Sequence, residues 1–211
     1  MTAEVTTVGP DTPAVEALDL MIHRGIRRLP VVHDNTLVGI VTRADLLQVP
    51  LAVRRVAAES AGSMQDLTVK HVMAPETITV PPDLTIEETA VLMRDHKIGA
   101  LPVVDHDALV GIITESDIFD ALIGVLGLRS GGTRLTIRQD NGATLEPITK
   151  TVQECGARIL SLTTYRLHDT NWVVVRVDAP IPLHLIQALV EHGVNVVHLA
   201  SLPRGRATKT G

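Results

Sequence analysis

Large rings are almost missing from this sequence. Among 211 residues only Phe119, Tyr165 and Trp172 are aromatic. Proteins that grip single-stranded nucleic acid stack bases on aromatic side chains along a basic groove. Three aromatics and a net charge of −5 argue against that partner class, and no nucleic acid is expected. Cysteine is as scarce: Cys155 stands alone, which excludes an internal disulfide framework and a multi-cysteine metal site. No uncharged apolar run approaches the roughly 18–20 residues of a membrane span, and no basic-then-apolar leader opens the chain. No membrane partner and a soluble cytoplasmic protein are therefore expected. The signatures of catalysis are missing too. There is no Walker loop, no Gly-x-Ser-x-Gly elbow and no dinucleotide fingerprint. No two histidines stand at the i, i+4 spacing of a helical metal site, and His192 and His198 straddle an expected turn and strand. A non-enzymatic protein without a metal is expected.

What is present is aliphatic. Apolar residues make up 45% and charged residues 20% of the chain, which is globular composition, so Val, Leu, Ile and Ala must build the core. The charge is uneven. Residues 1–128 hold nine basic against eighteen acidic side chains, and residues 129–211 hold ten against six. The sign changes at Ser130-Gly131-Gly132, a plausible boundary between two units of different character.

The first part contains a duplication. Gly25-Ile-Arg-Arg-Leu-Pro-Val-Val32 returns as Lys97-Ile-Gly-Ala-Leu-Pro-Val-Val104, and Leu37-Val-Gly-Ile-Val-Thr42 as Leu109-Val-Gly-Ile-Ile-Thr114, both at an offset of 72 without a gap. Over Val5–Leu47 against Thr77–Phe119, 18 of 43 positions are identical, far above chance. Each copy reads as β-α-β-β-α. Short strands at Val5–Val8 and Thr77–Val80 run into Pro-Asp. Helices follow with Ala14, Leu18, Met21 and Ile22, or Ile86, Ala90 and Met93, at three-four spacing. Leu29–Val32 and Leu101–Val104 are continuous apolar runs, as expected of buried strands. Turn-forming residues then lead to Leu37–Thr42 and Leu109–Thr114, and a last helix begins after each Thr. A unit of about 60 residues is marginal alone, so the copies are expected to pack together. At the same offset Met1 matches Met73, whose lead-in Thr68–Val72 has no counterpart in the residues given. The chain either begins there or continues upstream of Met1, and the second reading is favoured.

Residues 129–202 follow another pattern. Strands are expected at Arg134–Arg138, Ile159–Tyr165, Trp172–Val177 and Val194–Leu199, and helices at Thr144–Glu154 and Leu183–Glu191. That is β-α-β-β-α-β, the ferredoxin-like order. Residues 203–211 read as a basic, solvated tail. The fold class is thus α/β (α+β), with boundaries at 1–60, 61–128 and 129–202.

The strongest chemical signal is Gly39-Ile-Val-Thr42-Arg-Ala-Asp45, repeated as Gly111-Ile-Ile-Thr114-Glu-Ser-Asp117. Glycine lets another chain or a ligand approach a strand. A Thr hydroxyl and the first N–H groups of a helix suit an anion. An Asp one turn on can accept hydrogen bonds from a ribose diol. Together these suit a nucleoside phosphate. Thr-x-x-Asp before an apolar helix is equally a capping box, a purely structural device, and the residues alone leave both readings open.

The paired units, with strand-Pro-Asp, Ile-x-x-Leu-Pro-Val-Val and Gly-h-h-Thr-x-x-Asp, closely resemble a tandem pair of CBS (cystathionine-β-synthase) domains over about residues 1–125. The resemblance implies pseudo-twofold packing and clefts for adenosine-containing ligands: AMP, ADP, ATP or S-adenosylmethionine. It favours the binding role for the Thr/Asp pairs, with capping as a compatible second role. It also implies crossed clefts. One would combine Val5, Thr6, Ile26, Arg27, Arg28 and Pro30 with Thr114, Ser116 and Asp117. The other would combine Thr77, Ile78, Ile98, Gly99, Ala100 and Pro102 with Thr42, Ala44 and Asp45. The first carries two guanidinium forks suited to phosphate oxygens; the second has Gly99 and Ala100 there. Residues 129–202 resemble an ACT domain, a small regulatory fold that binds amino acids. Asp140-Asn-Gly-Ala-Thr-Leu145 departs from that family's Asp-x-Pro-Gly-x-Leu loop, with Ala143 where the family has glycine, so dimer assembly is the expected role. A CBS pair followed by an ACT-like unit resembles the acetoin-utilisation AcuB-type proteins.

The expected function is a homodimeric, non-enzymatic sensor of an adenine nucleotide that changes the surface it offers to an unidentified protein partner. Two alternatives stand beside it: a scaffold with empty clefts, and an amino-acid sensor acting through the ACT-like unit.

Overall fold

The hydrophobic spacing of each repeat copy translates directly into a helix packed on a hairpin. The computed structural model describes residues 1–48, 67–139, 144–178 and 183–202. In the first copy, α1 (Ala14–Arg24) buries Ala14, Ala17 and Met21 along one face and is followed by β1 (Arg28–His33) and β2 (Thr36–Thr42). The helix stops at Gly25, whose φ of 65° is left-handed. Gly25 N–H donates to Ile22 O and Ile26 N–H to Met21 O, the paired bonds that close a helix end. Asp34 and Asn35, both at positive φ, form the two-residue turn between the strands.

The second copy repeats this with α3 (Ile86–His96), β3 (Ala100–Asp105) and β4 (Ala108–Thr114). Thr85 and Glu88 cap α3 reciprocally, and the two bonds from Thr85 hold the Glu88 carboxyl below the usual carboxylate range. Lys97 takes the left-handed position of Gly25, with φ of 55°. A five-residue α2 (Arg43–Leu47) follows β2, and α4 (Glu115–Val125) follows β4. The four strands form one antiparallel sheet in the order β1-β2-β4-β3. Separate aliphatic clusters fill the copies, one around Met21, Leu29, Val31 and Val41, the other around Met93, Leu101, Val103 and Ile113.

Two features differ from the sequence reading. The opening strands shrink to single parallel bridges, Val8 with Val31 and Val80 with Val103. Prolines at 10, 81 and 82 follow at once, and proline supplies no N–H to a ladder. The lead-in to the second copy also belongs to the first copy's core. Leu67 and Val69 are buried there, Ala14 N–H donates to Leu67 O and Val69 N–H to Thr12 O. Lys70 pairs with Asp11 at 2.7 Å and holds that exposed carboxyl below its usual pKa.

The chain divides into two compact units, Met1–Ile118 and Phe119–Gly211, the division falling within α4. The second unit holds the end of α4, then β5 (Gly132–Gln139), α5 (Glu146–Glu154), β6 (Ile159–Leu167), β7 (Thr170–Val177), α6 (Leu183–Glu191) and β8 (Asn195–Leu202). Its sheet is antiparallel in the order β6-β7-β5-β8, the ferredoxin-like arrangement expected from the element order. Leu135, Ile137, Val173, Val175 and Val177 face Ile148, Val152, Leu185 and Leu189 across its core. Positions 140–143 of the expected ligand loop, the stretch 49–66 and the tail 203–211 lie outside the described residues.

Candidate functional site

The duplicated halves interlock. Thr2 of the first copy bridges to Ile112 on β4, while Ala74 of the second bridges to Ile40 on β2. These two contacts are related by the offset of 72. Glycine in Gly-h-h-Thr exists for this crossing. A Cβ on Gly39 would lie 2.6 Å from Ala74 O, and one on Gly111 would lie 2.8 Å from Met1 Sδ and 3.2 Å from Thr2 O. The close approach inferred for these glycines is made by the chain's own other half.

The crossing brings the first predicted set together. Val5, Thr6, Ile26, Arg27, Arg28 and Pro30 of the first copy line one cavity of about 280 Å³ with Thr114 and Ser116 of the second. Asp117 stands one residue beyond Ser116 and is half-buried. Thr2, Glu4, Gly25, Gly99, Ile112 and Glu115 complete the wall. Sequence reasoning missed Glu4 and Glu115, and assigned Gly99 to the opposite cleft. Gly99 is the counterpart of Arg27, and its missing side chain leaves room there. Both the Arg28 Nη2 and the Glu115 carboxylate would collide with a Cβ at that position. The floor of the cavity is therefore bare backbone beneath a guanidinium.

The strand-to-helix corners are alike in both copies. Thr114 N–H and Oγ1–H both donate to Asp117 Oδ2, at 2.8 and 2.7 Å, and Asp117 N–H donates to Thr114 Oγ1 at 3.4 Å. The corresponding distances for Thr42 and Asp45 are 2.8, 2.6 and 3.2 Å. Both are complete capping boxes. Each threonine proton is thus committed to its carboxylate, so the hydroxyl can accept from a ligand but cannot donate to a phosphate while the cap is intact. Glu115 N–H donates to Gly99 O and Asp117 N–H to Thr114 Oγ1, so donors for an anion come from Arg27, Arg28 and Ser116. The cap consumes one oxygen of Asp117. The other, Oδ1, lies 3.8 Å from the Met1 amino nitrogen.

The second predicted set is not gathered in the same way. Ala100 and Pro102 are buried in β3, Ile98 packs on the second core, and Ile78 is exposed. Thr77 lines a cavity of about 200 Å³ with Thr36, Gly39, Thr79 and Asp107, none of them predicted partners. Thr42, Ala44 and Asp45 start α2. In the second unit, Thr144 and Leu145, the described end of the expected loop, line a cavity of about 550 Å³ with Tyr165, Asn171 and Trp172. Among the described residues no group of His, Cys, Asp and Glu could hold a metal, and no helix is long and apolar enough to cross a membrane.

Residues 1–52 and 69–124 match the CBS domain. The chain is 32% identical over 136 residues to the CBS domain-containing protein YhcV of Bacillus subtilis, a match covering 64% of this chain and 89% of that one. It is 38% identical over 117 residues to an inosine-5'-monophosphate dehydrogenase of Korarchaeum cryptofilum, but that match spans 22% of the enzyme and 55% of this chain. Among solved structures, a Vibrio cholerae protein named for acetoin utilization (AcuB) superposes with a TM-score of 0.51 at 37% identity, over 61% of this chain and 90% of that one. CBSX2 in complex with AMP gives 0.50 at 30% identity, over 57% and 88%. Duplicated sequence, crossed halves and these matches lead to one conclusion: the chain belongs to the CBS domain family, as a CBS-pair protein of the regulatory kind.

Proposed function

We propose that the chain is a sensor that binds an adenine nucleotide in its first crossed cleft. The observation that carries this reading is the single cavity in which Arg27 and Arg28 of one copy meet the helix start at Thr114–Ser116 of the other. Its volume is near the lower end of the roughly 300–1,000 Å³ of small-ligand clefts. In this reading the phosphate lies against the two guanidinium forks. The ribose diol donates to Asp117 Oδ1, and the base rests on Val5, Ile26 and Pro30 without aromatic stacking. AMP bound to the similar CBSX2 supports AMP as the first ligand to test; ADP, ATP and S-adenosylmethionine share the adenosine part. The second set, Thr77, Ile78, Ile98, Ala100 and Pro102 with Thr42, Ala44 and Asp45, would take a nucleotide more weakly.

Ligand binding would shift the packing of the two copies, and so the surface offered to a protein partner, by no more than its differential affinity for the two arrangements. The strand order of the second unit supports an ACT-like domain, which in this reading assembles a homodimer. Likeness to the Vibrio protein supports a link to acetoin utilization. Calorimetric titration of the full chain with AMP, ADP, ATP, S-adenosylmethionine and a panel of amino acids tests the reading. A micromolar constant for a nucleotide is expected. Binding of amino acids alone would transfer the sensor role to the second unit, and no heat from any ligand would leave a scaffold.

A further inference from the structure

In the second unit β7 places Arg176 beside Arg134 of β5, the two directly opposite across the ladder. Like charges in that position destabilise a sheet pair. Residues alternate between faces along a strand, so the core claims Leu135, Ile137, Val173 and Val175 and the other face carries the arginines. Ser161, Thr163 and Tyr165 on β6, Thr136 and Arg138 on β5, Trp172 and Val174 on β7, and His198 and Ala200 on β8 share that face through the strand register. Among the described residues it holds no carboxylate.

Arg176 is not a solvated surface arginine. It is 7% exposed, and its Nη1 is sealed from solvent without a hydrogen-bond partner among the described residues. The end of α4 covers it. Gly127, at φ of 60°, would place a Cβ 3.7 Å from Arg176 Cδ and 3.6 Å from Ser161 Oγ, and Ser161 Oγ–H donates to Leu126 O at 3.1 Å. The helix end turns a negative dipole towards this corner without supplying Nη1 with an acceptor. Arg134 is anchored by one nitrogen, Nη1, which donates to Thr136 Oγ1 at 2.6 Å. Burial and the charge of Arg134 both push the Arg176 pKa down, yet a guanidinium does not lose its proton in a protein. A buried charge calls for a partner.

We propose that the arginine-bearing sheet face of the second unit is an oxyanion site, in which Arg134 and Arg176 bridge one small phosphate or dicarboxylate. Each guanidinium is a planar fork of N–H donors, the geometry that bidentate oxyanions match. An anion between them would convert the repulsion across the ladder into two charge-assisted pairs. This site is independent of the nucleotide cleft, since it uses no residue of the repeat.

The test is a titration of the full chain followed through arginine side-chain Nε–Hε resonances, with inorganic phosphate in one arm and succinate in the other. Sodium chloride of equal ionic strength is the reference. Arg134→Lys and Arg176→Lys, each removing one resonance, assign the two signals; Arg134→Lys alone suffices if the buried substitution does not fold. Saturable shifts of both resonances in the phosphate or the succinate arm, with the Arg134→Lys chain binding at least tenfold more weakly, are expected, and the arm that saturates first names the anion. The same response must survive Arg27→Ala/Arg28→Ala, which removes phosphate donors only from the cleft. Resonances that move no further than in chloride, or a response abolished by the cleft variant, overturns the proposal. So does dissociation of an oligomer by Arg134→Lys, which would mean that a second copy supplies the carboxylate.

Discussion

The two copies of the repeat share a hairpin and its crossing but differ at the corner that meets the first cleft. Both have the hairpin, the capping box and the crossed lead-in, but where the first presents Arg27 and Arg28 the second presents Gly99 and Ala100. Duplication alone would have produced two equal clefts. In this chain the bare position of one copy makes room for the cation of the other, since a side chain at Gly99 would occupy the place of the Arg28 guanidinium. Symmetry of the scaffold therefore supports asymmetry of the site, and seven substitutions probe how far that goes.

Arg28→Ala should do most. Hydrogen bonds to a charged group contribute about 1.5–3 kcal/mol, so nucleotide affinity should fall about ten- to a hundredfold, with little change in unfolding by urea. Equal affinity before and after would place the phosphate elsewhere. Next come the crossing glycines. Gly39→Ala meets backbone at Ala74 O, whereas Gly111→Ala meets first the flexible Met1 side chain. Overpacking of this kind costs about 1–3 kcal/mol, and the loss in urea denaturation should be larger for Gly39→Ala than for Gly111→Ala. Equal losses would break the account of the crossing.

The capping carboxylates separate the two copies by function. Asp45→Asn and Asp117→Asn should each lower stability by about 0.5–2 kcal/mol, the range for a disturbed helix start. Only Asp117→Asn should also weaken AMP binding in the first cleft. Matched titrations and melting curves decide this, and unchanged affinity in both variants would reduce these residues to caps. The smallest effect is at the helix ends. Lys97 holds the left-handed conformation that Gly25 adopts without strain. Lys97→Gly should stabilise and Gly25→Lys destabilise, by up to about 1 kcal/mol each, again read from urea unfolding.

The repeat was legible because side-chain spacing and turn chemistry act locally. Asp34-Asn35 and His106-Asp107 sit where the pattern places the hairpin turns, and Leu29 and Leu101, both fully buried, anchor the two cores. What acts between distant residues was harder to see. Gly39 reads as a place where another chain or a ligand comes close, and nothing in its neighbours reveals that Ala74 is what lies against it. Thr114 read as a phosphate donor because a sequence shows a hydroxyl, not where its proton points. Gly99 was placed in the wrong wall because a residue without a side chain borders whatever approaches it. Arg134 and Arg176 gave no signal in sequence, since their opposition depends on the register of two strands about 40 residues apart.

The crossed bridges also order events during synthesis. Ile40 finds Ala74 soon after the first hairpin is made, but Thr2 has to wait for Ile112. At roughly 5–20 residues per second, the opening segment spends several seconds outside the ribosome without its strand partner, while the first copy's β2 edge is already covered. Closing so long a loop carries an entropic cost and makes this contact one of the last to form.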